Sequence, residues 1–274
     1  MKESSQKSVR YTEVAPASPV AGYIGGKRNL AKIIIPKLEA IAHETYVEPF
    51  IGMGGIFLRR GTAPKTEVIN DINREVVTLF RVLQRHYPYF LDYLKFHVTS
   101  RAEFERLRRV DPDTLTDLER AGRFLYLQRL AFSGTVWGSF AVHPGVAAKF
   151  NILNLATTLE AAHQRLAGVT IECLPWEACI RRWDRPTTLF YLDPPYWDCE
   201  DYYGNGIFSR DDFARLAEVL SGIKGRFVMS LNDTPGVRKT FKAFAIEAVD
   251  VVYTAHKGDK KKAGEVLISG PKRR

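Results

Sequence analysis

The sequence contains no apolar run near the roughly 18 residues needed to span a bilayer. Its start, MKESSQKSVR, is polar and has no signal-peptide hydrophobic region, so a soluble, intracellular chain is expected. Cysteine is scarce: Cys173, Cys179 and Cys199 all lie in the C-terminal half and make no CxxC pair. An odd count without that spacing argues against both a disulfide framework and a zinc site. Internal repeats and low-complexity tracts are missing. So are the GxxxxGK[ST] cradle for a nucleoside triphosphate and the complete GxGxxG fingerprint for a dinucleotide.

What is present is enough for a large core: 274 residues, of which 45% are hydrophobic, suggesting one domain or one with an inserted subdomain. The formal net charge is +9, which points to a polyanionic partner, because Lys and Arg gain affinity by releasing counterions from phosphates. The charge is unevenly spread. Arg101, Arg106, Arg108, Arg109, Arg120, Arg123 and Arg129 crowd one central segment, and the tail adds KGDKKK and PKRR.

Residues 1–20, with Pro16, Ser18 and Pro19, read as a flexible arm. An α/β pattern follows, with helical spacing over Lys27 to Ala42 interrupted by Pro36, strands at Tyr46 to Glu48 and Glu67 to Asn70, and a helix over Arg74 to Gln84. Between about Pro88 and His163 strand signals are scarce. Capping boxes at Ser100 with Glu103 and at Thr116 with Glu119 predict helix starts there, so this part reads as a separate helical insert. Alternation then resumes with strands Val169 to Cys173, Leu189 to Leu192 and Arg226 to Leu231, helices Asp211 to Leu220 and Pro235 to Phe244, and late strands Ile246 to Tyr253 and Glu265 to Ile268. The predicted class is α/β: a doubly wound, Rossmann-like sheet interrupted by a mostly helical domain.

Doubly wound sheets bind ligands beyond the carboxyl ends of their strands, so the loops after the strands carry the chemistry. In YVEPFIGMGG, Gly52 and Gly54 permit a tight turn and a surface free of side chains, although an ordinary strand-to-helix turn would use them too. In VINDIN, Asp71 ends the next strand about 20 residues later, where an acid can accept hydrogen bonds from both hydroxyls of a ribose; it could equally cap the following helix, and the roles are compatible. Together these loops suggest an adenosine-containing cofactor without a pyrophosphate. The third loop, LFYLDPPYWD, holds Asp193 rigidly before Pro194 and Pro195. Its carboxylate and the proline carbonyls form a group made only of acceptors, and Tyr196 and Trp197 offer flat faces. Such a loop is either a rigid turn or a pocket for an amino-bearing base.

At these residues the chain resembles the Dam-like adenine-N6 DNA methyltransferases, the alpha group of the D12 class. The matching stretches are AGYIGGKRNL, YVEPFIGMGG, VINDIN, LDPPY, FVMSLNDTPGVRK and EVLIS, in the family's order over nearly the whole chain. The resemblance implies a catalytic domain of residues 21–86 and 164–274 and a target-recognition insert of residues 87–163. It implies S-adenosylmethionine as cofactor, bound by Tyr23, Lys27, Glu48, Pro49, Phe50, Gly52, Gly54, Asp71 and Asp193. The catalytic group would be Asp193, Pro194, Pro195 and Tyr196, acting on an adenine flipped out of double-stranded DNA and stacked on Tyr196. Arg129, Ser133, Trp137, Lys149 and Asn151 would meet the nucleic acid. No metal and no membrane are implied, and a cytoplasmic, nucleoid-associated monomer is expected.

Departures from the family are informative. Gly22, Ser133, Trp137 and Pro175 stand where the family has a lysine, an asparagine, an arginine and often an acid. An indole offers one donor and cannot replace an arginine that binds guanine through two, so readout of GATC is not carried over. Rival readings at this level are the same chemistry on cytosine, RNA or a glutamine side chain, a basic nucleic-acid-binding protein with a degenerate cofactor site, and a dinucleotide oxidoreductase. The acid at Asp193 favours adenine over cytosine or glutamine.

Overall fold

The computed structural model describes residues 10–23, 25–132, 138–142, 145, 149–200, 207–249 and 264–271. The chain runs through β1 (Thr12–Glu13), α1 (Ala31–Glu39), β2 (Thr45–Glu48), β3 (Thr62–Ala63), β4 (Thr66–Asn70) and α2 (Arg74–Arg85). Helices α3 (Tyr87–Leu94), α4 (Arg101–Arg109), α5 (Asp117–Leu130) and α6 (Ile152–Arg165) come next. Then follow β5 (Thr170–Glu172), α7 (Trp176–Trp183), β6 (Thr188–Leu192), α8 (Arg210–Gly222), β7 (Arg226–Asn232), α9 (Pro235–Thr240), β8 (Phe244–Val249) and β9 (Glu265–Pro271).

Seven of these strands form one sheet in the order β5-β4-β2-β6-β7-β9-β8. From β5 to β7 all neighbours are parallel, whereas β9 runs antiparallel to both β7 and β8. The strand order reverses between β2 and β6, and the crevice at such a reversal is where open α/β sheets bind ligands. The sheet is covered on both sides, so β6 is buried at every residue, as its unbroken apolar run predicts. Alternate residues serve different cores: Tyr46, Ile69, Leu189 and Tyr191 face one, Val47, Val68, Phe190 and Leu192 the other. The first core includes α1 to α6 and the second α7 to α9.

Helix starts follow their capping residues. The Asn73 side chain accepts from Glu75 N, the Ser100 side chain from Glu103 N, and Thr116 with Glu119 forms a reciprocal capping box. The structure adds detail to three expectations. Helix α1 is shorter than Lys27 to Ala42, because Lys27 is drawn into the crevice and the helix begins only at Ala31, with Pro36 inside it. The arm is not loose from Tyr11 onward: β1 pairs with β3, the Tyr11 hydroxyl accepts from His43 N at 2.8 Å, and Ala17 and Val20 are core residues. Among the described residues of α3 to α6, Phe90, Phe104, Leu125 and Leu155 join the same apolar cluster as Tyr46 and Ile69. Helix α7, unpredicted, buries Trp176, Cys179 and Ile180 at helical spacing. The predicted strand ending at Tyr253 is β8, which ends at Val249; residues 250–253 lie outside the described residues.

A buried charge cluster ties α6 to the sheet. Glu67 on β4 takes Arg60 Nη1 at 3.0 Å and both Nη atoms of Arg165 at 2.7 and 2.8 Å. Arg60 also lies over the Tyr46 ring at 3.7 Å and Arg165 over Phe57 at 4.1 Å. His43 beside Arg60 stays neutral, its pKa pushed down to about 4 chiefly by burial. Two guanidinium groups thus share one carboxylate away from water. Glu67→Gln would leave both without a counter-charge and is expected to lower the unfolding free energy by about 3–5 kcal/mol in urea titration; a loss below about 1 kcal/mol would contradict this role.

Candidate active site

Strands β2 and β6 pair in register from Thr45–Thr188 to Val47–Phe190, so their ends deliver Glu48 and Asp193 to the crevice side by side. Asp193 Oδ1 receives Lys27 Nζ at 2.7 Å and the Ser230 hydroxyl at 3.1 Å, while Oδ2 bonds to none of the described residues. Lys27 is 3% exposed and spends its other donors on the Tyr196 hydroxyl at 2.8 Å and the Gly25 carbonyl at 3.0 Å. Burial raises the Asp193 pKa above the ordinary aspartate value, and Lys27 and Ser230 oppose the rise. The Tyr196 hydroxyl donates onward to Glu265 Oε1 at 2.6 Å, which carries the network to β9. Glu48 accepts from the Tyr46 hydroxyl at 2.7 Å, and burial pushes its pKa up to about 8, so it is largely protonated at neutral pH.

The glycine loop packs beside this group. Gly52 has φ +49° and a Cβ there would lie 3.0 Å from the Tyr23 ring, so only glycine lets the loop turn beneath Tyr23. Asp71 Oδ2 accepts from Gly52 N at 3.0 Å and Oδ1 from Asn73 N at 2.9 Å, which pins the loop to the end of β4 and opens α2. Its pKa is pushed up to about 6 by burial. Asn70, not foreseen from the sequence, ties three strand ends together: Nδ2 donates to the Pro49 and Leu174 carbonyls at 2.9 and 3.0 Å, and Oδ1 accepts from Leu174 N at 2.8 Å.

One cavity of about 1220 Å³ unites these parts. Tyr23, Lys27, Glu48, Pro49, Phe50, Gly52, Asp71, Asp193 and Pro195 line it, together with Arg129 and Lys149. Gly54, Pro194, Tyr196 and Asn151, all expected at the site, do not. Gly54 faces inward, where a Cβ would meet Leu58 at 3.0 Å and Phe80 at 3.5 Å, so it serves packing. Pro194 is buried, and Tyr196, half-buried, has the Lys27 ammonium 4.5 Å from its ring centre. Residues missed at the cavity include Trp176, which stacks near Phe50 with ring centres 6.4 Å apart, and Ser209, Asp212 and Arg215 at the start of α8. Pro175 does reach the wall.

Trp197 also acquires a place. Its backbone N–H and C=O are both held by the Asn232 side chain, at 2.9 and 3.0 Å. Its ring lies where a Cβ on Gly236 would be 2.2 Å away, under the Arg210 guanidinium at 4.0 Å. The clamp fixes the main chain just past the prolines. Asp198 then turns with φ 67°, a left-handed conformation that aspartate tolerates better than most residues.

The central arginines are mostly engaged within the molecule. Arg106 and Arg108 pair with Glu103 and Glu105 on α4, Arg120 with Asp113, and buried Arg123 with Glu75 and the Leu107 carbonyl. Arg129 donates to the Lys149 and Val20 carbonyls at 2.9 and 2.6 Å. Asn151 is exposed and caps α6 by accepting from Leu153 N. Ser133 and Trp137 lie outside the described residues. Among the described residues no group of three or more His, Cys, Asp or Glu side chains could hold a metal, and no helix is long and apolar enough to cross a membrane.

A profile of the D12 class of N6 adenine-specific DNA methyltransferases matches residues 23–255. Type II methyltransferase M1.LlaDCHI of Lactococcus lactis subsp. cremoris is 26% identical over 276 residues, covering 92% of this chain and 94% of the relative. DNA adenine methylase of Escherichia coli strain K12 is 26% identical over 268 residues, covering 89% and 92%. Type II methyltransferase M.CviBI of Paramecium bursaria Chlorella virus NC1A is 23% identical over 231 residues, covering 82% and 87%. With the match extending from Tyr23 across the glycine loop and the LDPPY loop, the chain belongs to the D12 class of N6 adenine-specific DNA methyltransferases, enzymes that methylate adenine in DNA.

Proposed function

We propose that the methyl donor is S-adenosylmethionine and that the acceptor is the amino group of an adenine rotated out of double-stranded DNA, with Asp193 and the Pro194 carbonyl as its hydrogen-bond acceptors. The observation that carries this reading is that one cavity at the strand reversal is lined by both Asp71 and Asp193. Its volume of about 1220 Å³ exceeds the common range for one small ligand, about 300–1,000 Å³, and leaves room for two planar groups.

The donor set suits such a cofactor. Each Asp71 oxygen is tied to one backbone N–H and keeps a lone pair for a ribose hydroxyl. Phe50, Trp176 and Ile72 supply apolar walls, and Glu48, Pro49, Tyr23 and Gly52 face the space toward Asp193. When bound, S-adenosylmethionine supplies an electrophilic methyl group on a sulfonium.

The chain's own residues arrange the acceptor. Adenine's amino lone pair is delocalised into the ring, which makes the nitrogen a weak nucleophile. Lys27 and Ser230 hold Asp193 by Oδ1 and leave Oδ2 to accept one N–H of that amino group; the Pro194 carbonyl accepts the other. Both bonds strengthen as positive charge develops on the nitrogen, so they lower the barrier more than they tighten ground-state binding. A base stacked within a duplex cannot reach this crevice, so it must leave the stack. Pro195 forms the wall there, and Tyr196, through Lys27 and Glu265, braces the loop. Residues 87–163 act as the recognition segment, with Arg129 shaping it through Val20 and Lys149 rather than reading bases.

Incubation with labelled S-adenosylmethionine and unmethylated duplex DNA is expected to yield N6-methyladenine; label found in RNA alone would redirect the reading. Asp193→Ala is expected to lower kcat at least about 100- to 1,000-fold while DNA binding changes little; near wild-type turnover would remove the carboxylate from the mechanism. Donor affinity is expected to rise with pH through about 6, the Asp71 value, because the ionised carboxylate is the better acceptor. Calorimetric titrations from acid to neutral pH check this, and the inflection should vanish in Asp71→Asn.

A further inference from the structure

Arg28 and Arg59 line the same cavity as Asp193 and are absent from the mechanism above. Arg28 is exposed and Arg59 half-buried. Among the described residues neither has a carboxylate within ion-pair distance, whereas Arg215, also in the lining, is paired with Asp212 at 2.6 Å. The Arg59 guanidinium is held in place by Nη1 donating to the Gly55 carbonyl at 2.6 Å. A Cβ on Gly55 would lie 3.9 Å from that nitrogen and 3.5 Å from Lys27 N, which sets Arg59 beside the residue that holds Asp193. Burial and then the neighbouring Arg28 charge depress the Arg59 pKa. Two like charges lining one cavity, with no carboxylate partner among the described residues, are unfavourable alone and attract an oxyanion.

We propose that Arg28 and Arg59 form a phosphodiester site that grips a DNA backbone phosphate next to the target adenine, an inference that rests on the function proposed above. Planar guanidinium forks match phosphate oxygens two at a time. The methyl donor also carries an oxyanion, its carboxylate, but its sulfonium and ammonium make it a cation overall, so an uncompensated arginine pair disfavours it. DNA brings only negative charge. A nucleotide whose base reaches Asp193 keeps its phosphates at the rim, where Arg28 stands exposed and Lys149 adds a further cation to the lining.

The test uses the full chain as Arg28→Gln, Arg28→Lys and Arg59→Gln, with unmethylated plasmid DNA as substrate. It compares kcat/KM for DNA over a series of salt concentrations with the dissociation constant for S-adenosylmethionine. Each Gln variant is expected to lose about tenfold in kcat/KM for DNA near physiological salt. Each should also flatten the logarithmic salt dependence by about one unit, while Arg28→Lys keeps the wild-type slope. Donor affinity should stay within about twofold, since the lost contact is to phosphate. Arg28 is exposed, so its variants remain informative even if Arg59→Gln unfolds. An unchanged slope in Arg28→Gln beside an active wild type overturns the phosphate site alone. Weakened donor binding with an unchanged slope also overturns it and assigns the pair to the donor's carboxylate. A wild type that methylates no DNA would instead overturn the function on which the inference rests.

Discussion

The ion pair between Lys27 and Asp193 joins parts of the chain that are far apart in sequence, and the crevice takes its form from it. Lys27 comes from the turn before α1, Asp193 from the end of β6, Ser230 from β7, and Tyr196 brings in Glu265 of β9. A buried ammonium group without acceptors would be costly, so each of its three donors has one. That demand shortens α1, fixes the Asp193 carboxylate by one oxygen, and leaves the other exposed to chemistry. The pair is therefore a device for orientation more than for stability, since desolvation offsets much of its Coulombic gain.

A second charged cluster supports the same region from below. Glu67, Arg60 and Arg165 connect β4 and α6, and Arg60 covers the Tyr46 ring whose hydroxyl holds Glu48. The helical segment thus shares both an apolar core and a buried ionic cluster with the sheet. Motion of the described helices α3 to α6 relative to the sheet would have to break these contacts.

The arginines illustrate why composition alone misleads. The crowding from Arg101 to Arg129 suggests a nucleic-acid face, yet Arg120 and Arg123 are buried in ion pairs and Arg129 gives two of its donors to backbone carbonyls. Arg28 and Arg59, outside that crowded segment, line the cavity with no carboxylate partner among the described residues. Tyr196, expected as a stacking surface, also has its hydroxyl bridging Lys27 and Glu265, a link the sequence does not reveal. Gly54 serves the core beside Leu58 and Phe80, whereas Gly52 does what its position in the loop suggested.

Local sequence determined the elements whose causes are local. The apolar run before Asp193 had to be a strand covered on both faces, Asn73 and Thr116 had to cap helices, and two prolines had to stop β6 where they do. The placing of Asp71 and Asp193 at strand ends was likewise legible, because motif spacing and the α/β alternation depend on residues close in the chain. Only the tertiary structure decided which charges are spent and which are free. Pairings such as Lys27 with Asp193, Glu67 with Arg165 and Asn232 with Trp197 span separations that no periodicity encodes. The first of these sits where the strand order reverses and brings the carboxyl ends of β2 and β6 together, and that reversal is a property of the sheet as a whole.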